Sequence, residues 1–415
     1  MGDRIQVPLE LDHFEVVDTV LVDGGLEVTV RSTFPRACFH CGSVDVIGHG
    51  RHQRRIRDRS CRYPTTLIWE QRRYKCRDCG RTSRERHPET LEAKRLTARF
   101  RAALAEYACS RPWSDVASQE RVSWWRVADS FDTWAAQTLN SAPGSAPRVL
   151  SLDESSFKSK FIYHTILSAP EQRRILELVE GRNRSSARQV LAGIPQSWRE
   201  NIETVVIDMF WPFRQAVEDV LPDARIVADK FHVIRAVDNA AQKVRIRHGR
   251  KITVAGRDGG LARQHNPRFD PRMWRSRWLF MRRADKLTDT ESAGLTRLFE
   301  LHPQVGVAYW LKEAFANIYQ AADRTEANHR FETWLHHVHQ AGLPELINTS
   351  RVINKWKQPI LNYYDDPQTN GYAEGITNKI KVMKRRGYGH RHPHRYRNKV
   401  LAITQHQPAN PPPIA

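Results

Sequence analysis

The sequence predicts a multidomain α/β protein: a four-cysteine module, a short helical segment, then an α/β domain interrupted by an all-helical stretch. Three observations carry this prediction. Two C-x-x-C pairs, Cys38/Cys41 and Cys76/Cys79, stand near the N-terminus. From Val149 to Ala241, short apolar and β-branched runs alternate with segments of helical spacing. From about 250 to 365, only helical stripes recur. The length of 415 residues fits about three domains at roughly 150 residues each. Hydrophobic residues make up 40% and charged residues 27%, enough to build cores and to exclude wholesale disorder. No run approaches the ~18 apolar residues of a membrane span, and no apolar stretch follows Met1-Gly2-Asp3-Arg4. A soluble cytosolic protein is therefore expected.

Each element follows from its local pattern. Phe14 to Val20 and Leu26 to Val30 form a hairpin turning at Asp23-Gly24-Gly25. In the cysteine module, each pair sets two thiolates on a tight turn, and a glycine (Gly42, Gly80) follows each. This spacing suits the corners of a tetrahedral Zn²⁺ site, and the strand-like Pro64 to Trp69 between the pairs fits a zinc ribbon. Four cysteine ligands close the site, so the zinc is structural. Cys61 and Cys109 are expected as core thiols, with His40, His52 and His87 as substitute ligands. Phe100, Leu104, Tyr107 and Ala108 recur at helical spacing; Trp113, Val116 and Ala117 follow Pro112; Trp124, Val127, Phe131 and Trp134 follow Ser123 as N-cap. Short helix, break and longer helix make a helix-turn-helix pattern, which small trihelical bundles share. Trp125 lies off the apolar stripe, facing either DNA or a neighbouring domain.

Ser141 to Pro147 is a linker by composition. Strands are expected at Val149 to Asp153, Phe161 to Leu167, Ile175 to Val179, Thr204 to Asp208 and Arg225 to Asp229. Helices are expected around Ala187 to Leu191, after Pro212 and from Phe231. Ala308, Leu311, Phe315, Ile318 and Ala322 form one later stripe, and Ala327, Phe331, Trp334, Leu335 and Val338 another. The domain bounds drawn from this reading are 1–88 (zinc ribbon), 89–140 (helix-turn-helix), 141–147 (linker) and 148–249 (the opening α/β segment). A helical insertion at 250–367, the closing α/β segment with a basic helix at 368–404 and a disordered Pro-rich tail at 405–415 complete them.

Charge and acids point to function. The net charge is +20. Residues 51–86 hold 13 Lys/Arg against 4 Asp/Glu, and residues 379–399 hold 9 Lys/Arg and no acid. Two basic runs interleaved with aromatics suit a polyanion. The candidate phosphate contacts are Arg54, Arg55, Arg57, Arg72, Arg73, Lys75, Arg126, Lys379, Lys381, Lys384, Arg385 and Arg386, with Trp125 beside them. Asp153 and Asp208 end predicted strands, and Glu374 opens a helix that continues into the second basic run. Converging carboxylates need cations between them, and hard oxygen ligands select Mg²⁺ or Mn²⁺. Asp229 also ends a strand and is the runner-up for the second acid.

The chain resembles the ISL3 family of insertion-sequence transposases. The resemblance rests on the paired C-x-x-C module, "LDESSFKSK", "VVIDMFWPFRQAVEDVLPDARIVADKFHVIRAVDNA" and "TNGYAEGITNKIKVMKRRGYGHR". It implies a DDE transposase with an RNase H-like catalytic domain, whose triad falls on Asp153, Asp208 and Glu374 with two catalytic ions. It also implies double-stranded DNA as partner (terminal inverted repeats and target), a homodimer or larger assembly on DNA, and a bacterial cytoplasmic, nucleoid-associated location. Two other readings stay open: a catalytically idle zinc-ribbon and helix-turn-helix DNA-binding protein, and an RNase H-like nuclease that cuts without joining.

Overall fold

The computed structural model describes residues 9–90, 95–139, 144–158, 162–249, 273, 275–387 and 392–405. The start of the linker, residues 250–272 of the insertion, residues 388–391 of the second basic run and the tail from 406 lie outside the described residues. The chain forms two compact units, 1–142 with 379–415, and 143–378.

In the first unit, β1 (Phe14–Val22) and β2 (Gly25–Ser32) form the expected hairpin, with Val22 paired to Gly25. Two long strands follow, β3 (Val46–Cys61) and β4 (Tyr63–Cys76), then a short β5 (Thr82–Arg84). The sheet order is β1-β2-β4-β3, with β5 on β4. Its core is Leu26, Val28, Val30, Ile56, Leu67 and Trp69. Cys61 departs from expectation: it lies exposed at the tight β3–β4 turn, paired with Tyr63, where no core reaches it. Cys109 is buried, as expected.

Three helices follow: α1 (Ala98–Ser110), α2 (Trp113–Gln119) and α3 (Trp124–Thr138). Thr97 caps α1 by accepting from the Phe100 N–H, and its hydroxyl donates to buried Asp58 on β3 at 2.6 Å. Arg99 pairs with the same carboxylate, so the helices are stitched to the sheet. Ser123 stands at the N-cap of α3 without a side-chain hydrogen bond.

In the second unit, β6 (Val149–Lys158), β7 (Ile162–Ala169) and β8 (Arg174–Glu180) meander antiparallel. Then come α4 (Arg184–Ala192), α5 (Gln196–Arg199), β9 (Thr204–Ile207), α6 (Trp211–Val220), β10 (Arg225–Ala228) and α7 (Lys230–Gly249). The sheet order is β10-β9-β6-β7-β8, with β9 parallel to both β6 and β10. Helices α8 (Arg277–Met281), α9 (Asp289–Leu301), α10 (Pro303–Ala316), α11 (Arg324–Ala341), α12 (Pro344–Lys355) and α13 (Lys357–Leu361) form the insertion. Helices α10 and α12 pack on α7, and Phe315, Phe331, Trp334 and Leu346 join a core continuous with the sheet's helices.

The chain then returns to the sheet. Asp366 accepts from the Thr204 hydroxyl at 2.7 Å and pairs with Arg148 at 2.9 Å, anchoring the approach to α14 (Gly371–Arg386). The unit boundary falls inside α14, after Asn378. The last helix, α15 (Pro393–Gln405), groups with the first unit, whereas the sequence-drawn bounds kept 368–404 together. Its buried Tyr396, Val400, Leu401 and Ala402 explain this, since α15 packs on α1 and α3.

Candidate active site and metal centre

The four paired cysteines converge in the first unit. Cys38 and Cys41 precede β3, Cys76 ends β4, and Cys79 lies in the turn to β5. Their Sγ atoms all lie within 4.8 Å of one another, with Cys38–Cys79 and Cys41–Cys76 at 3.6 Å. Zn–S bonds of about 2.3 Å at tetrahedral angles place sulfurs about 3.8 Å apart, so the donor set fits a closed tetrahedral site. Left-handed Gly42 (φ +76°) and Gly80 (φ +68°) turn the chain after each pair. The His40 N–H holds the Cys38 thiol down at about 6. Against the Ser43 N–H, burial and the neighbouring sulfurs push Cys41 up to about 12. Thiols crowded in this way ionise together only around a cation. His87 is not a substitute ligand. Its ring stacks on Phe14 at 3.8 Å, and its Nε2 lies 3.0 Å from the Asp12 carbonyl.

The acids of the second unit meet through strand register. Leu152 of β6 pairs with Ile207 of β9, and Ile207 with Ala228 of β10. The next residues are Asp153, Asp208 and Asp229, which therefore form one row across three adjacent parallel strands. Asp153 does not end its strand. Pairing with β9 stops at Leu152, but antiparallel pairing with β7 carries β6 on to Lys158. His232, in the first turn of α7, places Nδ1 2.9 Å from both an Asp208 and an Asp229 oxygen. Hydrogen bonds to Asp208 and then Asp229 raise this imidazole to about 10. Burial pushes Asp229 up, yet the His232 ring and the Asn370 N–H together hold it below its ordinary value. Asp153 is raised, mainly by burial and also by the Asp208 charge, against a hydrogen bond from Thr377.

Helix α14 is fixed to this row at two points. Asn370, just before it, is 4% exposed. Its N–H donates to Asp229 at 3.0 Å, its amide to Asp208 at 3.4 Å, and its side-chain oxygen accepts from Ser151. The Thr377 hydroxyl donates to Asp153 at 2.7 Å. Glu374 lies exposed in the first turn, one turn before Thr377, and its N–H bonds the Asn370 carbonyl. Among the described residues, the close-packed donor group here is Asp208, Asp229 and His232. Asp153 adjoins it, and Glu374 stands outside it on the neighbouring helix. Asn370 and Thr377 went unassigned in sequence because neither residue type announces a role; only the fold reveals their bonds.

A transposase family model, DDE_Tnp_ISL3, matches residues 150–400, a span that includes all of these acids. The chain belongs to the ISL3 family of transposases. Full-length relatives agree. The chain is 26% identical over 356 residues, 85% of each protein, to the transposase for insertion sequence element IS1001 of Bordetella parapertussis. It is 23% identical over 316 residues to the transposase for insertion sequence element IS1557 in two strains of Mycobacterium tuberculosis. That match spans 73% of this chain and 70% of theirs. An ISL3-family transposase is a DNA-processing enzyme and binds DNA. Among the described residues, no helix is long and apolar enough to cross a membrane.

The candidate DNA contacts of this transposase divide by environment. Arg73, Lys75, Lys379, Lys381, Arg385 and Arg386 are exposed. Arg54, Arg126 and Lys384 are half-buried, and Arg55 is exposed but pairs with Glu27. Trp125 is 64% exposed. Arg72 is half-buried, and its guanidinium bonds Glu85 and the Phe34 carbonyl.

Proposed function

We propose that the chain is an active DDE transposase with an RNase H-like catalytic domain. It would cleave DNA at the ends of its element and join the freed 3′-hydroxyls to target DNA. The observation that carries this reading is the row of Asp153 and Asp208 on adjacent parallel strands, with the Glu374 helix bonded to it through Thr377 and Asn370. Asp153, Asp208 and Glu374 offer a hard-oxygen donor set, suited to two Mg²⁺ or Mn²⁺ ions. Divalent ions supply charge neutralisation and polarise the attacking and leaving oxygens of an in-line displacement.

The remaining work is positional. Asp229, His232 and Asn370 orient Asp208, and Thr377 orients Asp153. The exposed cations after Glu374 on α14 would hold phosphates of the same DNA, and the cysteine module and α1–α3 would select the terminal repeat. Holding reactants in line, rather than forming a covalent intermediate, is the main source of rate. Joining two ends in one event calls for at least a dimer on DNA.

The test is a joining assay with purified protein, labelled element-end duplex and supercoiled plasmid, with and without Mg²⁺. Metal-dependent joined products are expected. Binding without cleavage under any ionic condition would leave a DNA-binding protein, and cleavage without joining a nuclease.

A further inference from the structure

The first unit contains a groove of about 750 Å³ that gathers four of the candidate phosphate contacts with two further arginines. Six arginines line it: Arg54, Arg55 and Arg57 of β3, Arg84 of β5, Arg95 ahead of α1, and Arg126 in the first turn of α3. His52, Gln53, Thr66 and Gln71 complete the lining, and no acid is among them. The arrangement is built rather than incidental. The Arg57 N–H bonds the Arg95 carbonyl and the Thr97 N–H bonds the Arg57 carbonyl, both at 2.9 Å, which fixes Arg95 beside the edge of β3. Arg57 is anchored through Thr66 and the Glu120 carbonyl, while its buried Nε has no hydrogen-bond partner among the described residues. Burial above all, with smaller contributions from the charges of Arg126 and Arg121 against Glu120, holds Arg57 below its ordinary value.

Like charges gathered around this concave lining, partly offset by Glu27, which pairs with Arg55, create a field that a bound polyanion relieves. The positive end of α3 adds to it. We infer that this groove seats the phosphate backbone of one strand of duplex DNA. The β3–β5 ribbon and the start of α3 would then grip a single duplex together. This rests on the DNA-binding reading above and deepens it. It adds Arg84 and Arg95, both exposed, to the contacts. It also places exposed Trp125, the neighbour of Arg126, at the mouth of the same duplex.

The experiment measures binding of the full-length protein to a random-sequence duplex as a function of salt. Each phosphate contact contributes about 0.9 to the log–log slope. The Arg84→Gln/Arg95→Gln double variant is expected to lower the slope by about 2, and Arg84→Lys/Arg95→Lys to restore it. Thermal unfolding and zinc content, measured in parallel, should match wild type. Unchanged slope and affinity in the folded glutamine variant would overturn the groove assignment while leaving DNA binding intact. No salt-dependent binding by wild type would instead overturn the DNA-binding reading on which it rests.

Discussion

At the scale of single residues, the acid row depends on Asn370 as much as on the carboxylates. One buried side chain and its backbone touch Ser151 within β6 and the acids just after β9 and β10, immediately before α14. Asn370→Ala keeps the N–H bond to Asp229 but strips Ser151 and Asp208 of their partner. Misplacement by about 1 Å can reduce turnover about 100-fold, and unsatisfied buried groups cost about 1–3 kcal/mol. The joining rate of Asn370→Ala is therefore expected to fall about 100-fold with duplex affinity unchanged. Equal loss of affinity would show a general structural defect instead. The sequence marked Asp153, Asp208 and Asp229 because acids after apolar runs are conspicuous. It left Asn370 silent because an asparagine before a helix usually only caps it.

At the scale of elements, strands and helices with one apolar face were readable, and those without one were not. The hairpin β1–β2, the βββαβαβα order and α1–α3 all follow from periodicity. Strand β3 did not, because among Val46–Cys61 only Ile56 and Asp58 are buried and the rest is largely polar, rich in arginine and histidine. Such an arginine-rich edge strand hides from pattern reading but resists unwanted pairing. The end of β6 was also misjudged, since its length is set by β7 rather than by its own residues.

Helix α15 gives a test at this scale. Its Lys399 is 3% exposed, bonded to the Arg111 carbonyl at 2.8 Å and set over Trp113. Burial lowers its pKa from 10.5 to about 8, with Cys109 and Asp115 nearby opposing. Above pH 8 the folded lysine is neutral while the unfolded one still binds a proton, so its contribution to stability rises with pH. Cys109, pushed up to about 12 by burial, acts in the opposite sense above its unfolded value near 9. Denaturant titrations at pH 8 and 9 should show wild type gaining stability relative to Lys399→Met. A constant difference between the two would contradict the burial of a charged lysine.

At the scale of the whole molecule, two units divide the labour: 1–142 with 379–415 carries the cysteine centre and the arginine groove, and 143–378 the acid row. Zinc removal should therefore act on one unit. Chelation is expected to release about one zinc per chain. Amide protection should fall in β3–β5 while β6, β9 and β10 stay protected. Uniform loss of protection would mean that the two units unfold as one. The sequence did not show that the chain's last helix groups with the first unit, because such a long-range return leaves no local pattern.

If the acid row and the Glu374 helix together perform metal-dependent DNA joining, each carboxylate should show it in the joining assay repeated with Asp208→Ala, Asp229→Ala and Glu374→Ala. Mg²⁺-dependent joined products are expected to vanish in Asp208→Ala and Glu374→Ala and to persist at a reduced level in Asp229→Ala, with duplex binding kept in all three. Wild-type levels of joining in Asp208→Ala or Glu374→Ala would contradict it.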